Sequence, residues 1–282
     1  MVASVEAQGT RHGTPCSDGQ MAWRRWGNGP PVVLMHGGGG AWSHWIRNIG
    51  RLSGRYTVWA LDIPGLGESA APEPLSVEAI ADAVERGLHI LIPGDQPVSL
   101  VGFSFGAAIS TMVAARLKGR LRHLVLVGAR FVLNPPRIHP RLMSWKKIGD
   151  PAARQAVHRK NLGILMFGDP DNIDALAVYL QSTNTQRARI SAPMLSPSPS
   201  QKLHEYLPRV RARGRITGIS GAEDQAAKAV MDMQESALQA VHPGARFHVI
   251  ENAGHWVQYE AAERFNEILL DALAAGASRS GS

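Results

Sequence analysis

Six short, mostly apolar runs punctuate the chain: Val32–Met35, Tyr56–Leu61, Val98–Phe103, Leu121–Val127, Arg215–Ser220 and Phe247–Ile250. They are rich in Val, Ile and Leu. Several are apolar throughout rather than alternating, the pattern of parallel strands covered on both faces. Met21–Trp26 is a weaker candidate and reads as an antiparallel edge strand. Helical spacing fills the gaps between the runs. Val77–Leu91 follows Ser76, a good N-cap, and carries Ala79, Ile80, Ala83, Val84 and Leu88 on one face. Ala107–Leu117 and Ala261–Leu273 also read as helices. Strands alternating with helices imply right-handed crossovers and a doubly wound, mostly parallel α/β sheet.

The alternation stops near Phe131. From there to Leu207 prolines recur at 135, 136, 140, 151, 170, 193, 197 and 199, with helical stretches between them and no good strand. This predicts a core of residues 1–130 and 208–282. A helical lid, 131–207, is inserted after the sixth strand, above the strands' carboxyl ends where open α/β sheets bind ligands. Met1–Thr10 and Gly276–Ser282 are expected to fray.

Two of the strands run into glycine-rich turns. "LVGFSFGAAIS" places Ser104 between Gly102 and Gly106, after a strand and before a helix. This G-x-S-x-G arrangement is a nucleophile elbow. The glycines let strand and helix approach closely, and the hydroxyl stands at a helix N-terminus, which favours developing negative charge. "VVLMHGGGG" ends in a second glycine loop, which can bring backbone N–H groups to an oxyanion. The N–H of Phe105 and of Gly38, with Gly39 as the register alternative, are the candidate donors. His36 reads as structural.

A serine hydroxyl needs a base. Of eleven histidines, His255 in "ENAGHWVQYE" lies between the last strand and the last helix, completing the order Ser, acid, His. The base needs an acid to fix its tautomer. "ITGISGAEDQ" offers Asp224, with Glu223 as the alternative; "GAR" after Val127 offers none. Phe103, Trp42 and Trp256 are candidates to line an apolar substrate pocket. Trp145, Met166 and Phe167, with Met143 and Leu165, are candidates for its roof.

The net charge of +7 is partly local, with seven Lys/Arg against the single acid Asp150 between Arg137 and Lys160. Without zinc-ligand spacing, a helix-turn-helix pattern or an RNA-binding aromatic signature, this reads as a solvated basic face rather than a nucleic-acid site. Cys16 is the only cysteine, and no signal peptide or membrane-spanning run is evident, so a reducing cytoplasm is expected. No cofactor or metal is called for. The expected partner is a small-molecule ester or ketone, and a homodimer is left open.

With "HGGGG", "LDIPGLGES", "GFSFG", "GAED" and "GHW" in this order, the sequence resembles the α/β-hydrolase superfamily over nearly its whole length. Asp62 and Gly65–Gly67 match a structural turn of that superfamily. "GHWVQYEAAERFNEILLDAL", "WIRNI" and "LMFGDPDNIDAL" resemble the meta-cleavage-product hydrolases, which cut carbon–carbon bonds in vinylogous diketo acids. The glycine loop is shorter than theirs. Phe103 stands where they carry Asn, and Leu180 where their lid carries an arginine, with Arg187 and Arg189 as nearby substitutes. These departures imply a less polar substrate. The resemblance implies a serine hydrolase acting on carboxylic esters, a carbon–carbon bond hydrolase with the same residues, or a silent scaffold that binds ligands.

Overall fold

A computed structural model describes residues 1–133 and 141–275. Eight strands, β1 (Thr10–Cys16), β2 (Gly19–Trp26), β3 (Pro31–Met35), β4 (Thr57–Leu61), β5 (Val98–Phe103), β6 (Leu121–Val127), β7 (Ile216–Gly221) and β8 (Arg246–Ile250), form one sheet. Their order is β1-β2-β4-β3-β5-β6-β7-β8. From β3 to β8 neighbours are parallel, while β1 and β2 are antiparallel to each other and β2 to β4. All six apolar runs are strands. β3, β4, β5 and β6 are buried along nearly their whole length, which is why they do not alternate.

Two expectations fail at the N-terminus. The segment Met21–Trp26 is not an edge strand, because β1 pairs along its outer side. Only Thr14 and Cys16 of β1 are buried, so it carries almost no hydrophobic signal. Met1–Thr10 is ordered rather than frayed. A short helix, α1 (Val2–Ala7), buries no residue of its own. It is held by polar tethers: Trp26 Nε1–H donates to Val5 O at 2.8 Å, and Arg24 Nε meets Glu6 at 2.8 Å. Gly276–Ser282 lies outside the described residues, as do Pro135, Pro136, Arg137 and Pro140.

Helices cover both faces of the sheet. On one side α3 (Val77–Leu91) and α4 (Phe105–Arg116) pack into a cluster with Val33, Met35, Leu100 and Leu124. Ser76 caps α3 by accepting from Ala79 N at 3.0 Å, a contact worth about 1 kcal/mol. Helix α4 is buried without interruption from Gly106 to Ala114, as the central helix of the layer must be. On the other side α2 (Ile49–Ser53) and the C-terminal helix meet Leu34, Val101 and Val127.

Between β6 and β7 the chain forms α5 (Pro151–Leu165), α6 (Ala175–Arg187) and α7 (Pro199–Tyr206). Asp150, Asp174 and Ser198 cap them. Helices α5 and α6 pack on each other, and Leu162, Ala177 and Leu180 join the cluster around Phe103 and Trp256. Helix α7 instead packs on α4, with Leu203 in the opposite cluster. Past β7, α8 (Gln234–Val241), α9 (Val257–Glu260) and α10 (Ala262–Ala274) complete the fold. Among the described residues no helix is long and apolar enough to cross a membrane.

His123 is fully buried in β6, where its Nδ1 accepts from Arg215 N at 3.0 Å. Burial, with Arg122 and Arg215 nearby, pushes its imidazole down to about 4. Between that value and the ordinary 6.5, the unfolded chain binds a proton that the folded chain does not. Stability is therefore fully present above pH 6.5 and falls as the pH drops through this window. His123 should cost about 2 kcal/mol between pH 6.5 and 5. The urea midpoint, measured at pH 7, 6 and 5, should fall accordingly; a midpoint flat across that range would refute the assignment.

Candidate active site

Ser104 sits at the corner between β5 and α4 with φ 52° and ψ −109°. A positive φ at a non-glycine residue costs about 1–3 kcal/mol and persists only where its surroundings enforce it. The enforcement is visible. Ser104 N–H donates to Val127 O at 2.8 Å, and Ser104 O accepts from Ala107 N at 3.0 Å. A Cβ on Gly102 would lie 2.4 Å from Gly106 O, and one on Gly106 would lie 2.4 Å from Met35 O. Neither contact can be relieved, so β3, β5 and α4 meet this closely only with glycine at both positions.

The loops after β7 and β8 bring two more side chains to Ser104. These loops are bonded to each other: Ala222 N–H donates to Ile250 O and Glu223 N–H to Ala253 O, each at 2.9 Å. Asp224 Oδ2 lies 2.7 Å from His255 Nδ1, and His255 Nε2 lies 2.9 Å from Ser104 Oγ. With Nδ1–H donating to the carboxylate, Nε2 is left as the acceptor facing the hydroxyl. Asp224 is fully buried, and its Oδ1 accepts from Ala226 N at 2.9 Å. Glu223 points outward to Lys228. The neighbouring acids are thus separated by burial. At the turn after Val127, a Cβ on Gly128 would lie 3.0 Å from His255 Cε1, so this position is packed against the imidazole.

The glycine loop lies beside the elbow. Gly37 N–H donates to His44 Nδ1 at 3.4 Å, and Gly40 N–H donates to Gly37 O at 3.2 Å. Among the described residues the N–H groups of Gly38, Gly39 and Phe105 have no protein acceptor. A Cβ on Gly38 would lie 3.9 Å from Phe105 Cβ, so loop and helix start are neighbours. His36 supports the loop from below. Its Nε2 accepts from Ile63 N at 2.9 Å, while its Nδ1 lies 2.7 Å from Gly37 O.

The aromatic pocket candidates sit in the interior. Phe103 is fully buried, its ring centroid 5.0 Å from that of His255. Trp42 is nearly buried between Trp26 and the Arg24 guanidinium. Trp256 is fully buried and stacks on Tyr259 at 4.3 Å. Met166 and Phe167 are nearly buried, with Phe167 edge-on to both Trp256 and Tyr259. Trp145 is half-buried, 5.0 Å from the His158 ring. Met143 is exposed. Leu180 is buried in α6. Arg187 pairs with Glu68, and Arg189 hydrogen-bonds Ser69 O, so both are engaged at the turn after β4. Two surface clefts, of 210 and 250 Å³, border Cys16 and Glu73 in one case and Arg25 and Gln96 in the other, away from Ser104.

Three polar features beside the site went unread in the sequence. His44 is buried between the glycine loop and Trp256, whose Nε1–H donates to His44 O at 3.1 Å. Burial, with His36 and His255 nearby, holds its imidazole well below the usual histidine range. Glu260, at the end of α9, accepts from Gly254 N at 2.7 Å, Gly168 N at 2.9 Å, Asp169 N at 3.0 Å and Asn172 Nδ2 at 3.3 Å. Asp174 binds Arg47 at 2.6 Å and the Tyr259 hydroxyl at 2.7 Å. Glu260 and Asp174 tie residues 168–174 to the segment that carries His255. The sequence marked only the segment "LMFGDPDNIDAL", which holds Asp174, and no motif marked His44 or Glu260.

A family model described as "Alpha/beta hydrolase family" matches residues 32–268. A 2-hydroxy-6-oxo-6-phenylhexa-2,4-dienoate hydrolase from Burkholderia cepacia is 27% identical over 89% of this chain and 90% of its own. A mutant of the meta-cleavage product hydrolase CumD superposes with a TM-score of 0.74 at 23% identity, over 93% of this chain and 97% of that one. Naproxen esterase from Bacillus subtilis superposes with a TM-score of 0.73 at 19% identity, over 96% and 94%. The family match, spanning the glycine loop, the elbow and both loops that converge on it, makes this chain a member of the alpha/beta hydrolase family.

Proposed function

We propose that the protein is a serine hydrolase that cleaves carboxylic esters of medium-sized apolar substrates. The observation that carries this reading is His255 bridging Ser104 Oγ at 2.9 Å and Asp224 Oδ2 at 2.7 Å. In the forward step Nε2 takes the Ser104 proton as Oγ adds to the ester carbonyl. Asp224 holds the tautomer and stabilises the imidazolium. The N–H groups of Phe105 and Gly38 receive the oxyanion; such donors are each worth about 10²–10³-fold in rate. His255 then protonates the departing alcohol. It next activates a water that releases the acid from Ser104.

Residues 131–207 supply the lid in this reading, with α5 leading into Met166 and Phe167 beside the His255 loop and α6 following them. Its inner side carries Leu162, Leu180, Met166 and Phe167, with the polar Asn184 bonded to Ser43. Phe103 before the nucleophile and Leu180 in α6 offer no polar contact to an anionic substrate, which favours an ester. A second reading has its own support. Relatives named as hydrolases of phenylhexadienoate and nonadienedioate compounds align over 89% of the chain. In that case Ser104 adds to a ketone and the carbon leaving group takes the proton from His255.

A panel of p-nitrophenyl esters of increasing acyl length, run beside a vinylogous diketo acid, separates the two readings. We expect kcat/KM to peak at a medium acyl length and to exceed that for the diketo acid; the reverse order would assign carbon–carbon cleavage. Ser104→Ala should abolish turnover while leaving the thermal transition in place. If this variant hydrolysed esters at the parental rate, the mechanism would be wrong. Asp224→Asn should lower kcat by about 10⁴-fold, whereas Glu223→Gln should stay within a factor of a few. If Glu223→Gln proved the more damaging change, the acid would have to be reassigned.

A further inference from the structure

The stretch that runs into and along α5 is rich in positive charge. Arg141, Lys146, Lys147, Arg154, Arg159 and Lys160 lie here with a single acid, Asp150. That acid is occupied as the cap of α5, accepting from Ala153 N at 2.7 Å. Elsewhere Arg24, Arg47, Arg116, Lys202 and Lys228 sit on carboxylates, whereas single cations such as Arg51, Arg55 and Arg86 do not among the described residues. Among the described residues the six cations here have no such partner, and all but Arg154 are exposed.

Apolar side chains stand beside these charges. Leu142 is 45% exposed and Met143 is 43% exposed. The segment is laid along α5 by specific bonds. Met143 N–H donates to Asn161 Oδ1 at 2.7 Å, Asn161 Nδ2 donates to Met143 O at 2.9 Å, and Arg154 donates to Ile148 O at 2.7 Å. Leu142, Met143, Lys146 and Lys147 therefore lie on one segment fixed along the Arg154–Asn161 face of α5, with Arg159 and Lys160 exposed farther round the same helix. Exposed aliphatic groups interleaved with unpaired cations match an anionic bilayer, whose headgroups take the charges and whose acyl boundary takes the apolar tips. A phosphate backbone would use only the cations, and Trp145, the one aromatic side chain of the segment, is half-buried against the His158 ring.

We propose that residues 141–160 dock the protein on anionic lipid surfaces. Helix α5, about 22 Å long, runs from this patch to Met166, whose carbonyl accepts from Trp256 N at 2.7 Å, next to His255. A docked patch holds the site at a fixed distance from a phase in which apolar esters concentrate.

The test is co-sedimentation of the full chain with phosphatidylcholine vesicles containing about one-third phosphatidylglycerol. Binding should appear on these vesicles, be lost at high salt and be absent on pure phosphatidylcholine. The double variant Lys146→Gln/Lys147→Gln should weaken it by ~25-fold, about fivefold per charge. It should keep parental turnover of a soluble short-chain ester, which shows that it is folded. Leu142→Ser should weaken binding without changing the salt slope. Parental binding by the double variant, or equal binding to pure phosphatidylcholine, would overturn the proposal. So would tighter binding to random-sequence duplex DNA than to the anionic vesicles at the same ionic strength.

Discussion

The constraint on which the rest depends is the close approach of three backbones at the elbow. Strand β5 must stop, reverse and become α4 while β3 passes underneath, leaving no room for a Cβ at Gly102 or Gly106. The left-handed geometry of Ser104 is the residue of that crowding, and it keeps the hydroxyl off the helix and facing the strand ends. Once the elbow is fixed, the sheet decides what can reach it. β6 and β7 lie to one side in parallel register, with β8 beyond. The loops after β7 and β8 therefore emerge at the same edge as Ser104, and a short carboxylate and an imidazole span the gap.

Much of this was legible because backbone sterics write directly into sequence. Glycines at 102 and 106 flanking a serine, after a run of Val and Leu, have few physical solutions, and the glycine loop after β3 is similar. The choice between Glu223 and Asp224 was harder. They are adjacent loop residues, and burial alone separates them: one is sealed against His255, the other is drawn to Lys228. Strand β1 was missed because its side chains mostly face solvent. Helix α7 looks compositionally like the rest of the proline-rich stretch, yet Leu203 joins the core through a contact with distant α4. The aromatic residues posed the opposite problem. A tryptophan in a pocket wall and one in a core share the same sequence signature, and Trp42 and Trp256 fall in the interior.

A buried ionic hub supports the glycine loop from the β4 side. Asp62 accepts from Trp42 N at 2.8 Å and Glu68 N at 3.0 Å, and it faces Arg24, itself almost fully buried. Buried charges of this kind contribute little net stability, but breaking one partner is costly. Their role is geometric: Trp42 begins the turn that presents His44 to Gly37. The loop beside Ser104 is thus held by His36 from one strand end, by His44 from the following turn, and by Asp62 through that turn.

The carboxylate of Glu260 has a consequence for anchoring. One anion serves backbone amides at Gly168, Asp169 and Gly254, so loss of the Glu260 carboxylate would leave three N–H groups without their acceptor at once. The loop that presents His255 and residues 168–169 thus share one anchoring group. The same arrangement gives the His255 loop, although irregular in backbone, a fixed anchor on α9 through Gly254.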